Sequence, residues 1–544
     1  MATLLTLRAS LRRSAVGRIR RAALFVLVLL YLAGVTPFDA AAKTTPNDSA
    51  RAGRVRRDVD AFNANDSEDP PTLIPNAATG DWLVANAPRF ECPSAELEEI
   101  YNFRWWVYRK HIRQTPHGRV VTEFLTPVTH AGPFNTISCA LGHHISEGRW
   151  LRDRTLLDEY IGFWLTSGPD GQPPIHLHQF SGWLAAAIWD RYLVTGDRAW
   201  IVAQLDPLIA DYRQWETERQ RPDGLFWQYD VRDGMEESIS GSRREQNIRP
   251  TINSYMAANA LAIAAIATLA ERRDVSAEFT AKAAKLQTGL LDSLWDRDAE
   301  FFKVRLADGG LSDAREAIGF IPFAFGLTRP EHVVAWRQLN DPRGFNAPHG
   351  LTTTERRHPK FRTHGTGTCE WDGAVWPFAT SQTLTALART LRGPAQPHVT
   401  RQDFFDHLLT YARGHRQEGK PYIGEYHDEQ IGAWLITGPK AERSRHYNHS
   451  TFNDLVIHGL VGLVPRADDL LEVDPLLPGD AWDWFRLEDV PYHGHLVTIA
   501  WDRTGKHFGR GAGLTAWVDG HEVARSPRLE RITGQLPEGR KQEH

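Results

Sequence analysis

Cysteine is scarce in this chain: 544 residues contain three, Cys92, Cys139 and Cys369. Three thiols allow at most one internal disulfide and leave one over, which excludes a disulfide-built scaffold and leaves core burial to hold the fold. An excess of positive charge is also missing, with 63 Lys and Arg against 67 Asp and Glu, so nucleic acid is disfavoured as a partner. No phosphate-cradling Gly loop and no Gly-x-Ser-x-Gly elbow occur, which disfavours phosphoryl and acyl transfer. No fixed-period repeat is present. Histidine is plentiful, at 23. Yet neither His143-His144 nor His176-x-His178 has a third ligand nearby in sequence, and a zinc site needs three or four converging ligands; no metal and no cofactor are expected.

What is present begins with export features. Six arginines (Arg8, Arg12, Arg13, Arg18, Arg20 and Arg21) precede the apolar run Ala22–Val35 and the small-residue stretch Ala40–Ala42, the order of a secretory signal peptide over residues 1–42. The apolar run has 14 residues, short of the roughly 20 that a membrane-spanning helix needs. A periplasmic or secreted protein with no stable membrane span after cleavage is expected. Loss of this segment takes the net charge from −4 to about −9, since it carries six arginines and Asp39.

Residues 43–80 are polar and Pro-containing with few large apolar groups, and are expected to form a flexible linker. From about Ala95 apolar residues recur at three- and four-residue spacing, as in Leu97, Ile100, Phe103, Trp106 and Val107, the signature of a helical face. Nine further stretches of this kind follow, up to Leu463, joined by loops holding Gly, Pro and Asp, and such segments pack as helical hairpins. After Pro465 the texture changes to short β-branched and aromatic runs, Leu470–Val473, Phe485–Leu487, Leu496–Trp501 and Leu514–Val518, expected as strands of a small sheet domain.

The chemistry is concentrated in two acidic turns. Asp233-Gly-Met-Glu-Glu-Ser238 follows the aromatic segment Phe226–Tyr229, and Gly424-Glu425-Tyr426-His427-Asp428 lies far downstream. Hydrolysis of a glycosidic bond needs one protonated acid at the leaving oxygen and one ionised carboxylate on the other ring face, and aromatic rings pack on the C–H faces of sugars. The competing reading for Glu236 and Glu237 is a solvated acidic turn; for Glu425 it is a helix-opening charge facing the dipole. Arg243, Arg244 and Arg249 follow the first turn closely, suited either to a structural salt bridge or to orienting carboxylates.

Four motifs in order resemble those of the six-hairpin inverting glycosidases, the group of trehalases, family 63 enzymes and mannosylglycerate hydrolases. They are Gly171-Gln-Pro-Pro-Ile175, Asp233–Ser238, Cys369-Glu-Trp-Asp-Gly-Ala-Val-Trp-Pro-Phe378 and Tyr422–Trp434. The resemblance implies an (α/α)6 toroid over residues 81–465 with a β-sandwich-like domain and tail over 466–544. It implies Glu236 as general acid, with Asp233 and Glu237 beside it able to fill or tune that role, and Glu425 as general base. It implies Gln172, Trp371, Asp372, Trp376 and Tyr426, with Asp233, Glu237 and Arg243, as substrate-binding residues, an oligosaccharide or glycoside as the partner, and an α-linked glucosyl or mannosyl unit as the substrate. The sequence departs from the group in two places. Glu236 stands where Asp is usual, and the early Trp-Asp dipeptide is replaced by Gly132–Trp150, where Asn135, Ser138, Cys139, His143 and His144 offer polar groups for a differently shaped sugar. A polysaccharide lyase using Tyr447, Asn448 and His449, and a non-catalytic glycan-binding protein, are the alternative classes.

Overall fold

The computed structural model of the protein describes residues 46–365 and 369–538; the expected signal segment 1–42 lies outside them. The chain divides into two compact units, Met1–Arg54 and Val55–His544. In the first, the described residues belong to the helix Pro46–Asn63, which runs on into the second.

Residues 55–80 correct the expectation of a flexible linker. Val59 and Phe62 are buried, Phe62 meets Phe103 and Trp106 edge-on at 5.5 and 6.0 Å, and a second helix forms over Asn76–Asn86. Asp66, almost wholly buried, pairs with Lys110 Nζ at 2.5 Å and Arg445 Nη1 at 3.0 Å. Polar composition concealed this, because the polar groups bury one another as ion pairs instead of facing water.

Among the described helical elements beyond this point, twelve form two sets that alternate along the chain. The first set is α1 (Ala95–Lys110), α3 (Thr155–Thr166), α5 (Leu205–Arg219), α7 (Arg273–Leu294), the 3₁₀ helix Pro330–Gln338 and α10 (Arg401–Gly414). Interleaved with them are α2 (Leu141–Gly148), α4 (Leu184–Thr195), α6 (Pro250–Leu269), α8 (Ile321–Ala324), α9 (Pro377–Arg392) and the π-helix Leu455–Val461. A single cavity of about 660 Å³ is lined by residues of every element in the second set and by none of the first. Sequence explains the split. α6 is apolar on nearly all faces (Ala257–Leu269), as a helix enclosed on every side must be. It is long and apolar enough to cross a membrane, but 78% of its apolar window is buried inside the fold. α7 instead carries Leu286, Leu290 and Leu294 on one buried stripe, with Ala284, Lys285 and Thr288 exposed.

Helix ends are set by local chemistry. Pro250 and Pro377 open α6 and α9, where a missing N–H costs nothing. Ser94 accepts the Leu97 amide to cap α1, and Thr400 and Asp403 form a reciprocal capping box on α10.

The C-terminal region holds two sheets: five strands in the order Arg89–Glu91, Trp484–Tyr492, His495–Asp502, Gly513–Val518, His521–Ser526, and three strands in the order Leu463–Val464, Leu470–Val473, Ile532–Gln535. All pairings are antiparallel, and the first strand comes from ahead of the helices, with Phe90 opposite Leu487. The expected strands are present: Leu470–Val473 has the expected bounds, Leu514–Val518 gains Gly513, and the other two run longer than their apolar runs, as Trp484–Tyr492 and His495–Asp502. The sheet region docks on the end of α4, where the His493 amide donates to Val194 O at 2.8 Å.

Candidate active site

The residues singled out from sequence lie on loops that run into the cavity-lining elements. Asp233, Glu236, Glu237 and Arg243 precede α6; Trp371, Asp372 and Trp376 precede α9; Glu425 and Tyr426 precede the π-helix. The loop ahead of α6 is pinned at two points. Asp233 is wholly buried and accepts from Arg249 Nε at 2.6 Å and from the Thr251 hydroxyl. Ser240 donates its hydroxyl to buried Glu316. Gly234 between them has φ +68°, and a Cβ there would stand 2.4 Å from Cys139 Sγ, so the turn that presents Glu236 closes only on glycine.

A backbone bridge joins the other two loops: the Val375 amide donates to His427 O and the His427 amide to Val375 O, both at 3.0 Å. This register lays Trp376 on Tyr426, with centroids 4.6 Å apart, and on Trp371 at 4.5 Å. Arg362 reinforces it, reaching Glu370 at 2.8 Å and Glu429 at 2.6 Å.

Glu236 and Glu425 meet in one electrostatic environment. Burial, chiefly, with the charges of Glu425 and Asp230, pushes the Glu236 carboxyl up to about 7, against the opposing pull of its own backbone amide and of Arg243. Glu425 is also raised by burial, but Arg443 opposes this both by charge and by a hydrogen bond from Nη2 to Oε2 at 3.2 Å, and Lys440 adds to it. The Glu425 amide donates to Ser444 Oγ at 2.8 Å, which fixes its backbone. Both carboxyls are thus raised by burial; at Glu236 neighbouring carboxylates add to the rise, while at Glu425 a cation favours the ionised form.

A third carboxyl, Glu123, joins them. It is buried, accepts from the Tyr447 hydroxyl at 2.5 Å, and is pushed up to about 8 by burial and by the charges of Glu425 and Glu236. Cys139 and Cys369 feel the same charges, and their thiols are raised by burial first. Glu123, Arg443 and Tyr447 as a glutamate's partner were missed in the sequence. The signal for Glu123 was a lone carboxylate inside an apolar run, Val120-Val121-Thr122-Glu123-Phe124-Leu125, which must be either paired or functional.

Several expectations change. Asp233, expected beside the acid as a substrate ligand, has its Oδ2 committed to Arg249 and Thr251, and its side chain is closed off from solvent. Gln172 is exposed on its loop, where its backbone closes a turn with Gly168 and Pro169. Trp371, Trp376 and Tyr426 are buried and stack on each other, so the faces of Trp376 are covered by protein rings and do not serve as a sugar platform. Asp372 is fully buried, and its Oδ2 is 2.9 Å from His364 Nδ1; His364 Nε2 lies 3.8 Å from Glu237, which also meets Arg243 at 3.3 Å. The polar groups of Gly132–Trp150 act mainly as framework. Asn135 ties Phe124 O to the Val128 amide, Ser138 donates to His176 O, and His144 bridges Tyr160 and Asn448 O. His143 packs edge-on to Trp183 and Phe378 and is driven down to about 3 by burial, next by neighbouring His144 and Arg104. Among the described residues no group of three or more His, Cys, Asp or Glu is placed to hold a metal ion.

Known proteins with the same features identify the scaffold. Residues 133–450, more than half of the chain, match the mannosylglycerate hydrolase MGH1-like glycoside hydrolase domain. Residues 465–525 match the C-terminal domain of glycosyl hydrolase family 65. A solved structure described as a sialidase is 44% identical, with a TM-score of 0.87 over 89% of this chain and 44% of that one. This chain thus spans less than half the length of that protein. The GH78 family rhamnosidase of Bacillus sp. GL1 is 12% identical, with a TM-score of 0.53 over 76% of this chain and 40% of that one. The α-L-rhamnosidase of Dictyoglumus thermophilum is 11% identical, with a TM-score of 0.51 over 81% of this chain and 45% of that one. With its helical body matched over 133–450, the chain belongs to the MGH1-like glycoside hydrolase family, a helical body with a C-terminal sheet region.

Proposed function

We propose that the protein cleaves a glycosidic bond by single displacement with inversion, Glu236 protonating the leaving oxygen and Glu425 activating water on the opposite ring face. The observation that carries this is the contrast between the two carboxyls: they influence one another, yet Glu236 is raised to about 7 while Glu425 is paired with Arg443. One group ready to give a proton beside one stabilised as a base is the pairing that inversion requires. The alternation of cavity-lining and outer elements supports an (α/α)6 toroid, six hairpins around one axis, with the chemistry on the loops entering the inner ring.

The substrate we favour is an oligosaccharide or glycoside with an α-linked glucosyl or mannosyl unit, in keeping with the family to which the chain belongs. The activity in the name of the 44%-identical structure is that of a protein more than twice as long. We also propose that residues 1–42 are removed on export, which N-terminal sequencing of the protein from a secreting host checks: the mature chain should begin close to Lys43.

The deciding experiment incubates the mature protein with a panel of oligosaccharides and follows the first-released anomer by proton NMR. Inversion gives the anomer opposite to the scissile bond. A retained anomer would overturn the single-displacement reading, and an unsaturated, ultraviolet-absorbing product would replace hydrolysis with β-elimination.

A further inference from the structure

Glu123 is a buried acid that the two-carboxylate scheme leaves unused. It sits ten residues ahead of the segment matched to the glycosidase family, on the strand-to-loop passage after Gly118–Val121. Its backbone is fixed from across the chain, its carbonyl accepting the Asn448 amide at 3.0 Å. One carboxyl oxygen, Oε1, takes the Tyr447 hydroxyl. The other, Oε2, is buried and has no hydrogen-bond partner among the described residues.

Its surroundings show where that oxygen belongs. The Tyr447 ring meets Phe124 edge-on at 4.8 Å and His449 at 4.2 Å. The guanidinium of Arg443, which holds Glu425, lies 6.0 Å from the Phe124 ring centroid. Glu123 thus shares a wall with the base, and its charge is coupled to both Glu236 and Glu425. A buried carboxyl oxygen left without a partner is costly unless something completes it, and a native protein retains such a group chiefly at functional sites.

We propose that Glu123, clamped by Tyr447, is a specificity-determining residue whose Oε2 binds a hydroxyl of the sugar ring held between Glu236 and Glu425. This rests on the glycosidase reading above. A carboxyl in its protonated form offers that oxygen as an O–H donor, and in its ionised form as an acceptor; either engages a neutral hydroxyl. A neutral hydroxyl is engaged by either form, whereas a sugar carboxylate at that position would be repelled by the ionised one. The ligand group predicted at this corner of the site is therefore a sugar hydroxyl. Tyr447, Asn448 and His449, considered from sequence as elimination catalysts, become the support of this contact.

The test uses the mature protein, the 4-nitrophenyl hexopyranoside it turns over fastest, that glycoside's monodeoxy analogues, and the variants Glu123→Ala and Glu123→Gln. Folding is checked first by thermal melting, and Tyr447→Phe, which removes the clamp but keeps the carboxyl, is the second route should Glu123→Ala fail to fold. Glu123→Ala is expected to raise KM about 10-fold or more with a smaller change in kcat, in line with loss of one buried polar contact. Glu123→Gln, still able to bond a hydroxyl, should recover most of that KM. For one monodeoxy analogue the penalty should vanish, because the partner hydroxyl is already gone. Tyr447→Phe should show the same analogue dependence, more weakly. A folded Glu123→Ala with parental KM on every analogue, or a uniform penalty across them all, would overturn the assignment. Failure of the underlying reading has a different signature: Glu236→Gln or Glu425→Gln retaining parental turnover, or no hydrolysis of any glycoside by the parent, would remove both together.

Discussion

Asp233 and Arg249 face one another 2.6 Å apart with neither side chain exposed to solvent at all. The pair closes the base of the turn that projects Glu236, three residues on. Removing one member leaves the other charged, buried and alone, which costs about 3–5 kcal/mol. Asp233→Ala should therefore lower the midpoint of chemical denaturation sharply, with the slope of the transition unchanged. An unfolding free energy within about 0.5 kcal/mol of the parent would show that the pair is not needed for the turn.

Catalysis should fall away on the alkaline side. Glu236 is useful only while protonated, and burial places it at about 7. The rate should decline as pH rises through about 7, with the acidic limb set by protonation of Glu425. Glu236→Gln and Glu425→Gln should each lower kcat by about 10²–10⁴ with melting temperature nearly unchanged. Kinetics from pH 4 to 10 on a single glycoside read this directly, and a flat profile above pH 7 would remove Glu236 from the role.

Stability should carry its own pH signature from Glu123. Its carboxyl is raised from 4.5 to about 8 on folding, so the folded chain keeps a proton that the unfolded chain releases. That contribution is complete below about 4.5, is lost as pH rises, and is gone above about 8. Glu123→Gln cannot ionise and should gain stability relative to the parent between pH 5 and 9, on the order of a few kcal/mol at most. Parallel melting curves for the two proteins across this range would contradict the burial of an ionisable acid.

Gly234→Ala should be destabilising for two separable reasons, a φ of +68° and a contact of 2.4 Å between the new Cβ and Cys139 Sγ. The combined cost is about 1–3 kcal/mol. Adding Cys139→Ala should return the steric part and leave the backbone part. If the double variant is simply the sum of the two singles, the thiol is not what the glycine makes room for.

The helical body and the strand run were readable in the sequence because periodic apolar spacing reports burial on one face, as in the α7 stripe Leu286, Leu290 and Leu294. Glu236 and Glu425 were singled out by the order of the glycosidase-like motifs, since each acidic turn alone reads equally as a solvated turn or a helix-opening charge. Asp233 misled because adjacency to Glu236 was taken as shared exposure, whereas the turn points its carboxylate inward to Arg249. Trp376 misled in the same way: composition marks an aromatic as a surface for sugar, but only the Val375–His427 bridge reveals that Trp371 and Tyr426 already cover it. Asp66 and Glu123 were hidden for a common reason. Their partners, Lys110, Arg445 and Tyr447, lie 44 to 379 positions away, and a chain of letters does not announce pairings at that range.

The strand Arg89–Glu91 pairs with Trp484–Tyr492, nearly four hundred positions downstream. During synthesis that edge must wait without a strand partner until Trp484–Tyr492 has left the ribosome. A version truncated near Pro465 would emerge with its front edge still searching for a mate.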